Sequence, residues 1–65
     1  MKIANEIEKI DHLLTIDELA ALIQFSSKTL YAKVKAGTVP VTRLGGSIRF
    51  DPKLIADWLR ERTAA

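Results

Sequence analysis

Two helix signatures stand almost back to back in this chain, and their spacing restricts the fold more than any other feature. The first is Thr15-Ile16-Asp17-Glu18, a capping box in which Thr15 caps the helix and Glu18 reaches back to the Thr15 amide. Leu14 is placed to staple against Leu19, and Leu19, Ala20, Leu22 and Ile23 supply a buried face. Ala20 and Ala21 are small enough for close helix packing. This predicts a helix from about Ile16 to Ile23 or Gln24. The second signature is Ser26 to Gly37, SSKTLYAKVKAG, with Ser26 or Ser27 as the cap and Gly37 just past the last turn. Only Gln24-Phe25-Ser26 connects the two. Short helices joined so tightly, with apolar residues on both, form a helix-turn-helix. Phe25 reads most simply as the apolar plug under the turn.

The second helix has one thin apolar edge, Leu30 and Val34, four residues apart. At 100° per residue, Lys28, Ala32 and Lys35 fall near the opposite face. Ala32 in the middle of that face would let the backbone come close to whatever the lysines attract. A helix of this kind suits a DNA major groove. Taken alone, the same twelve residues also fit a solvated surface helix.

Charge distribution adds weight to the first reading. Residues 1–18 hold five acids and two bases, whereas residues 19–50 hold no acid and five bases: Lys28, Lys33, Lys35, Arg43 and Arg49. Residues 51–65 carry three of each sign. A one-signed central block marks a surface for a polyanion.

After Gly37 the pattern shortens from a period of 3.6 to one of 2. Val39-Pro40-Val41-Thr42-Arg43-Leu44 and Ser47-Ile48-Arg49-Phe50 flank Gly45-Gly46, a hairpin signal in which both glycines are expected at positive φ. A two-residue loop sets Leu44 opposite Ser47, Arg43 opposite Ile48, Thr42 opposite Arg49 and Val41 opposite Phe50. Val41, Ile48 and Phe50 would then cover the core, Arg49 would project from the other face, and Pro40 suits an edge strand. Asp51-Pro52 starts a last helix, as cap and first helical residue. Its apolar stripe is Leu54, Ile55, Trp58 and Leu59, with Trp58 closing the core, and Arg60 to Ala65 reads as a frayed end.

Upstream, Ile3, Ile7, Ile10 and Leu14 follow helical spacing. They fit a helix of two to three turns on the core, a half-ordered arm, or a seam for a second protein. His12 is expected to be solvated or locally hydrogen-bonded near the end of that segment.

Length and composition narrow the function. Sixty-five residues make one small domain, which buries about 60% of its unfolded surface and keeps a margin of roughly 3–5 kcal/mol. There is no cysteine and one histidine, which excludes a disulfide framework, thiolate zinc sites, thiol catalysis and a multi-histidine metal site within one chain. No apolar run reaches the ~18–20 residues of a membrane span. The acidic N-terminus lacks a signal-peptide centre, so a cytoplasmic location is expected. Asp17, Glu18, Asp51 and Asp57 read as caps or helix-surface residues rather than an acid–base pair. No metal, cofactor or small-molecule substrate is expected, and no enzyme.

The order helix, tight turn, helix, Gly-tipped hairpin, helix is that of a winged helix-turn-helix, mainly α with a small β-hairpin. The stretch from Leu13 to Leu59, nearly three-quarters of the chain, resembles the small excisionase-like and AlpA-like DNA-binding domains, and more distantly the MerR-type domain. The resemblance is carried by Leu13-Leu14-Thr15, by Ser26 with Thr29-Leu30-Tyr31, by the Gly37 to Pro40 step, by Arg43-Leu44-Gly45-Gly46-Ser47-Ile48-Arg49-Phe50, and by the closing Leu54 to Leu59 pattern. It divides the chain into residues 1–12, an N-terminal helix or arm, and residues 13–62. Within the latter, the helix-turn-helix covers about 16–36, the wing about 39–50 and the C-terminal helix about 52–62.

The resemblance implies sequence-selective binding of duplex DNA, with the second helix of the pair in the major groove and the wing on the backbone or in the adjacent minor groove. By position, Ser26, Thr29 and Tyr31 would anchor phosphates or edge the groove, with Ser27 counted among the DNA-contacting residues beside them. Lys28, Ala32 and Lys35 would meet bases and backbone, and Arg43, Gly45, Gly46, Ser47 and Arg49 would form the wing contact. Three positions depart from the family pattern. Gln24 stands where glycine is common, in a turn that needs positive φ, at a cost of about 1 kcal/mol. Ala32 and Ser27 stand where basic residues are common, which implies modest affinity for a single domain. Two roles fit: a recombination directionality factor, or a small transcriptional regulator of a mobile element. A second copy, as a dimer or cooperative array, or an integrase would be the protein partner. The competing class is a non-catalytic interaction module that uses the isoleucine seam.

Overall fold

The structure is a computed structural model and describes residues 1–63. Four helices and one hairpin follow in the order α1 (Lys2–Glu8), α2 (Ile16–Ile23), α3 (Ser27–Lys35), β1 (Thr42–Leu44), β2 (Ser47–Arg49) and α4 (Pro52–Arg62). This is a winged helix-turn-helix. Helix α1 packs on α4, α2 packs on α3, and one core joins them. The fully buried side chains are led by Phe50, Ile7, Leu14, Leu19, Leu30 and Ile55.

The capping box forms as expected. The Thr15 amide donates to Glu18 at 3.0 Å and the Glu18 amide to the Thr15 hydroxyl at 3.1 Å. Helix α2 ends with Gln24 left-handed, at φ 58°, and the Phe25 amide returns 2.9 Å to the Ala20 carbonyl. Helix α3 closes in the same way. Gly37 takes φ 75°, and the Gly37 and Thr38 amides return to the Val34 and Lys33 carbonyls. The two helices thus share one closure, made by glycine in one and by glutamine in the other. Ser26 is the cap of α3 and accepts from the Thr29 amide at 3.1 Å.

The hairpin register is Thr42 with Arg49, Arg43 with Ile48 and Leu44 with Ser47, as read from the loop length. The further pair of Val41 with Phe50 does not form. Phe50 instead exchanges both backbone hydrogen bonds with Leu14, at 2.9 and 2.8 Å. In this register the Phe50 amide and carbonyl point away from β1, which leaves them free to meet Leu14, and Pro40 has no amide to extend β1 from the other end. The Leu14–Phe50 bridge ties the entry of the helix-turn-helix to the exit of the wing. Leu14 is consequently extended rather than helical. Helix α1 stops at Glu8, and the isoleucine spacing runs past its end.

Other expectations are corrected by the packing. Phe25 is not a plug: it is 39% exposed. Leu54 faces outward at 49% exposure, while Ala56, outside the expected stripe, is fully buried. Of the two α2 alanines, Ala20 is buried and Ala21 is exposed. Trp58 is half-buried and borders the core, and Phe50 rather than Trp58 is the largest fully buried side chain. Helix α4 continues through Arg62 instead of fraying at Arg60; Ala64 and Ala65 lie outside the described residues. Arg60 is held against α1, donating to Asn5 at 2.7 Å and to Glu8 at 2.9 Å. The Trp58 indole N–H donates 2.8 Å to the Thr38 carbonyl, and the Arg62 guanidinium lies 4.8 Å over the Trp58 ring. Ile7 is fully buried, and Ile3 and Ile10 pack on the core, so the isoleucine stripe is used within the chain.

Candidate nucleic-acid interface

Burial of Leu30 and Val34 fixes which way α3 faces. With that edge in the core, the opposite face must carry Ser27, Lys28, Tyr31, Ala32 and Lys35, and these five line one shallow hollow open to solvent. Their spacings of three and four residues make them neighbours along one face. The surface of the hollow is almost wholly carbon: the Tyr31 ring, the Ala32 methyl and the lysine stems. Tyr31 is 54% exposed. Lys28 and Lys35 flank Ala32, one about a turn before it and the other about a turn after.

The hydroxyl residues at the start of α3 are already engaged. The Ser26 hydroxyl accepts from the Thr29 amide and donates 2.8 Å to the Thr29 hydroxyl. The Ser27 hydroxyl donates 2.6 Å to the Asp17 carboxylate on α2. That last bond, which locks the two helices of the pair together, was not read from the sequence. Ten residues separate its partners, and only the turn geometry brings them together. Lys33 lies outside the candidate set. Its ammonium lies 5.9 Å from the centroid of the exposed Phe25 ring, beside the turn.

The wing residues Arg43, Gly45, Gly46 and Ser47 are exposed and do not line the α3 hollow. Only Gly45 has positive φ, at 61°; Gly46 does not. Positive φ at the first loop position alone is the pattern of a type II′ turn, not the I′ turn that needs it at both. A methyl group added at either glycine meets no atom within 4 Å. Arg49 is half-buried, and its guanidinium donates 2.7 Å to the Ile48 carbonyl.

The electrostatics set the cations of α3 and the wing apart from two cations of α4. Among the described residues, no carboxylate lies within ion-pair distance of Lys28, Lys33, Lys35, Arg43 or Arg49. Arg60 and Lys53, by contrast, meet Glu8 at 2.9 and 4.0 Å. The Arg60 hydrogen bond and charge hold the Glu8 carboxyl below its ordinary range, with Lys53 adding to the effect. Glu18 is lowered as well, first by the Thr15 backbone bond, then by the Thr15 side chain, with smaller help from His12 and Arg49. His12 Nδ1 lies 3.0 Å from the Leu13 carbonyl, the local bonding expected of it. Among the described residues no three acidic or histidine side chains gather as a metal site, and no helix is long and apolar enough to cross a membrane.

A hairpin wing beside a helix pair, with the exposed face of the second helix basic and carboxylate-free, defines a winged helix-turn-helix module. Residues 13–63 match the helix-turn-helix domain family, and the chain belongs to it. The chain is also 43% identical over 47 residues to two curated proteins, each named "Putative DNA-binding protein", from two strains of Mycobacterium tuberculosis. The alignment covers 72% of this chain and 60% of each relative. No solved structure matches the chain at a significant level.

Proposed function

We propose that this chain binds double-stranded DNA sequence-selectively, with α3 in the major groove and the wing on the flanking backbone or minor groove. The observation that carries this is the set of five cations without carboxylate partners on α3 and the wing. Desolvating an ion pair would cost such a surface its attraction for phosphate; here there is no pair to break. The names of the two relatives agree with the reading. Ser26, Thr29, Ser47 and the wing glycines offer neutral contacts at the edges, and Lys28, Lys35, Arg43 and Arg49 supply the charge.

The protein acts by occupying a site, without catalysis or cofactor. Asp17 and Glu18 are already bonded within the helix pair, and Asp51 caps α4 through the Lys53 amide. Occupation of a site suits an excisionase-like directionality factor, which a second copy or an integrase would assist. It equally suits a small regulator of transcription on a mobile element. The location is cytoplasmic, where such DNA lies. An interaction module built on the isoleucine seam is disfavoured, because that seam is packed against the chain's own core. The test is selection of bound duplexes from a random pool by the full chain, followed by footprinting of the enriched sites. A defined protected segment is expected. A pool that stays random, with no duplex retained at low salt, would overturn the proposal.

A further inference from the structure

We infer that the hollow at the centre of α3 reads the 5-methyl group of a thymine, with Ala32 and Tyr31 as the specificity-determining residues. The inference rests on the duplex-binding reading above and deepens it. Ser27, Lys28, Tyr31, Ala32 and Lys35 line the hollow, and its surface is almost wholly carbon. Ala32 has no donor or acceptor in its side chain, so it cannot read the polar edge of any base. The thymine methyl is the one apolar group that a base pair presents in the major groove. An exposed methyl with an exposed aromatic ring beside it therefore matches one base and no other. The Ser27 hydroxyl does not compete, since it is bonded to Asp17.

The flanking lysines set the frame. Lys28 and Lys35 are two helical turns apart, roughly 10 Å along the axis, or about three base-pair steps of ~3.4 Å each. Ala32 lies between them. The thymine thus falls inside a short element whose two ends meet ammonium groups. Each ammonium can donate to guanine O6 and N7 or to a phosphate.

The experiment uses the full chain and the sites enriched from a random duplex pool. Each thymine in turn is replaced by deoxyuridine, which removes the methyl group and leaves the pairing and the O4 acceptor. One position is expected to lose affinity about fourfold, the worth of one buried methyl group. Ala32→Ser should abolish that difference between thymine and uracil. Ala32 is exposed, so the variant should fold normally. Tyr31→Ser provides a second variant with the same expected loss of discrimination. Enriched sites without a shared thymine, or equal binding of thymine and uracil at every position, would overturn the inference while leaving duplex binding intact. Discrimination that survives both substitutions would overturn its assignment to this hollow. Failure to bind any duplex would instead overturn the proposed function, and the inference with it.

Discussion

The α1–α4 region and the α3–wing region use positive charge in opposite ways. In the first, Arg60 forks between Asn5 and Glu8, Lys53 approaches Glu8, and Arg62 lies over Trp58. Arg60 and Lys53 there tie α4 to α1, and Arg62 packs within α4 itself. In the second, Lys28, Lys35 and Arg43 have no hydrogen-bonding or ionic partner among the described residues. The same region contains the non-glycine residue at positive φ, Gln24, and the exposed Phe25, Tyr31 and Leu44. One region is satisfied internally, and the other retains charge and apolar surface that a partner can use. Functional surfaces tend to be less stabilising than the scaffold that carries them.

The largest expected effect separates the two regions directly. Lys28→Ala should relax base selection at one position by about 1–3 kcal/mol and leave the thermal midpoint nearly unchanged. Arg60→Ala should do the reverse, lowering the midpoint while DNA affinity stays constant. Binding titrations on selected and random duplexes, paired with thermal melts, measure both. Arg49→Ala should weaken all sequences nearly alike, since a wing contact to the backbone carries no base information. Its guanidinium is already bonded to the Ile48 carbonyl, so part of its loss will register as stability instead.

Within the wing, the two glycines should differ. Gly45→Ala should cost about 1–2 kcal/mol, because its φ of 61° is left-handed. Gly46→Ala should stay within about 0.5 kcal/mol, having neither a positive φ nor a crowded Cβ position. If the tip approaches DNA, the double variant loses more affinity than its melt explains. If the glycines only close the hairpin, affinity well below the midpoint equals that of the wild type. Chemical denaturation and duplex binding on the three variants distinguish these outcomes.

Gln24→Gly is a smaller change in the opposite direction. Relief of the left-handed conformation, offset by glycine's entropy, should raise stability by about 0.5–1 kcal/mol. DNA affinity should not change, because the turn lies outside the α3 hollow. A loss of affinity would show that the binding region depends on this strain.

Acid should act on the Glu8–Arg60 pair of the satisfied region and on the Thr15–Glu18 capping box. Glu8 and Glu18 have folded-state carboxyl pKa values below their ordinary range. Their contribution to stability is therefore fully present above the unfolded value of about 4.3. It is lost as the pH falls through the lowered folded values. Melts from pH 6 down to about pH 3 should show this decline, and Glu8→Gln should flatten it. An acid limb unchanged in that variant would contradict the role given to the Glu8–Arg60 pair.

Local chemistry made much of this fold legible. A capping box, a Ser cap, a Gly-Gly loop and an Asp-Pro start act within a few residues, so α2, α3, the hairpin register and α4 were readable from the sequence. What escaped was tertiary. The bridge from Phe50 to Leu14 could not be seen, because it depends on a backbone partner thirty-six residues away. Arg60 looked like a frayed end because its partners, Asn5 and Glu8, lie at the far end of the chain. For the site, the α3 face followed from burial of Leu30 and Val34. The Asp17–Ser27 bond did not, since it depends on how two helices meet; the folded-back Arg49 guanidinium did not either, since a strand residue's alternation gives its face and not its rotamer.

The most direct test of the division between the two regions is the salt dependence of duplex binding. If four or five cations of α3 and the wing meet phosphates, log K falls against log salt with a slope of roughly −3.5 to −4.5 per domain. Removing Lys35 should shallow that slope by about one, and removing Arg60 should leave it unchanged. A slope near zero, or one that responds to Arg60 and not to Lys35, would contradict the assignment of the free cations to DNA.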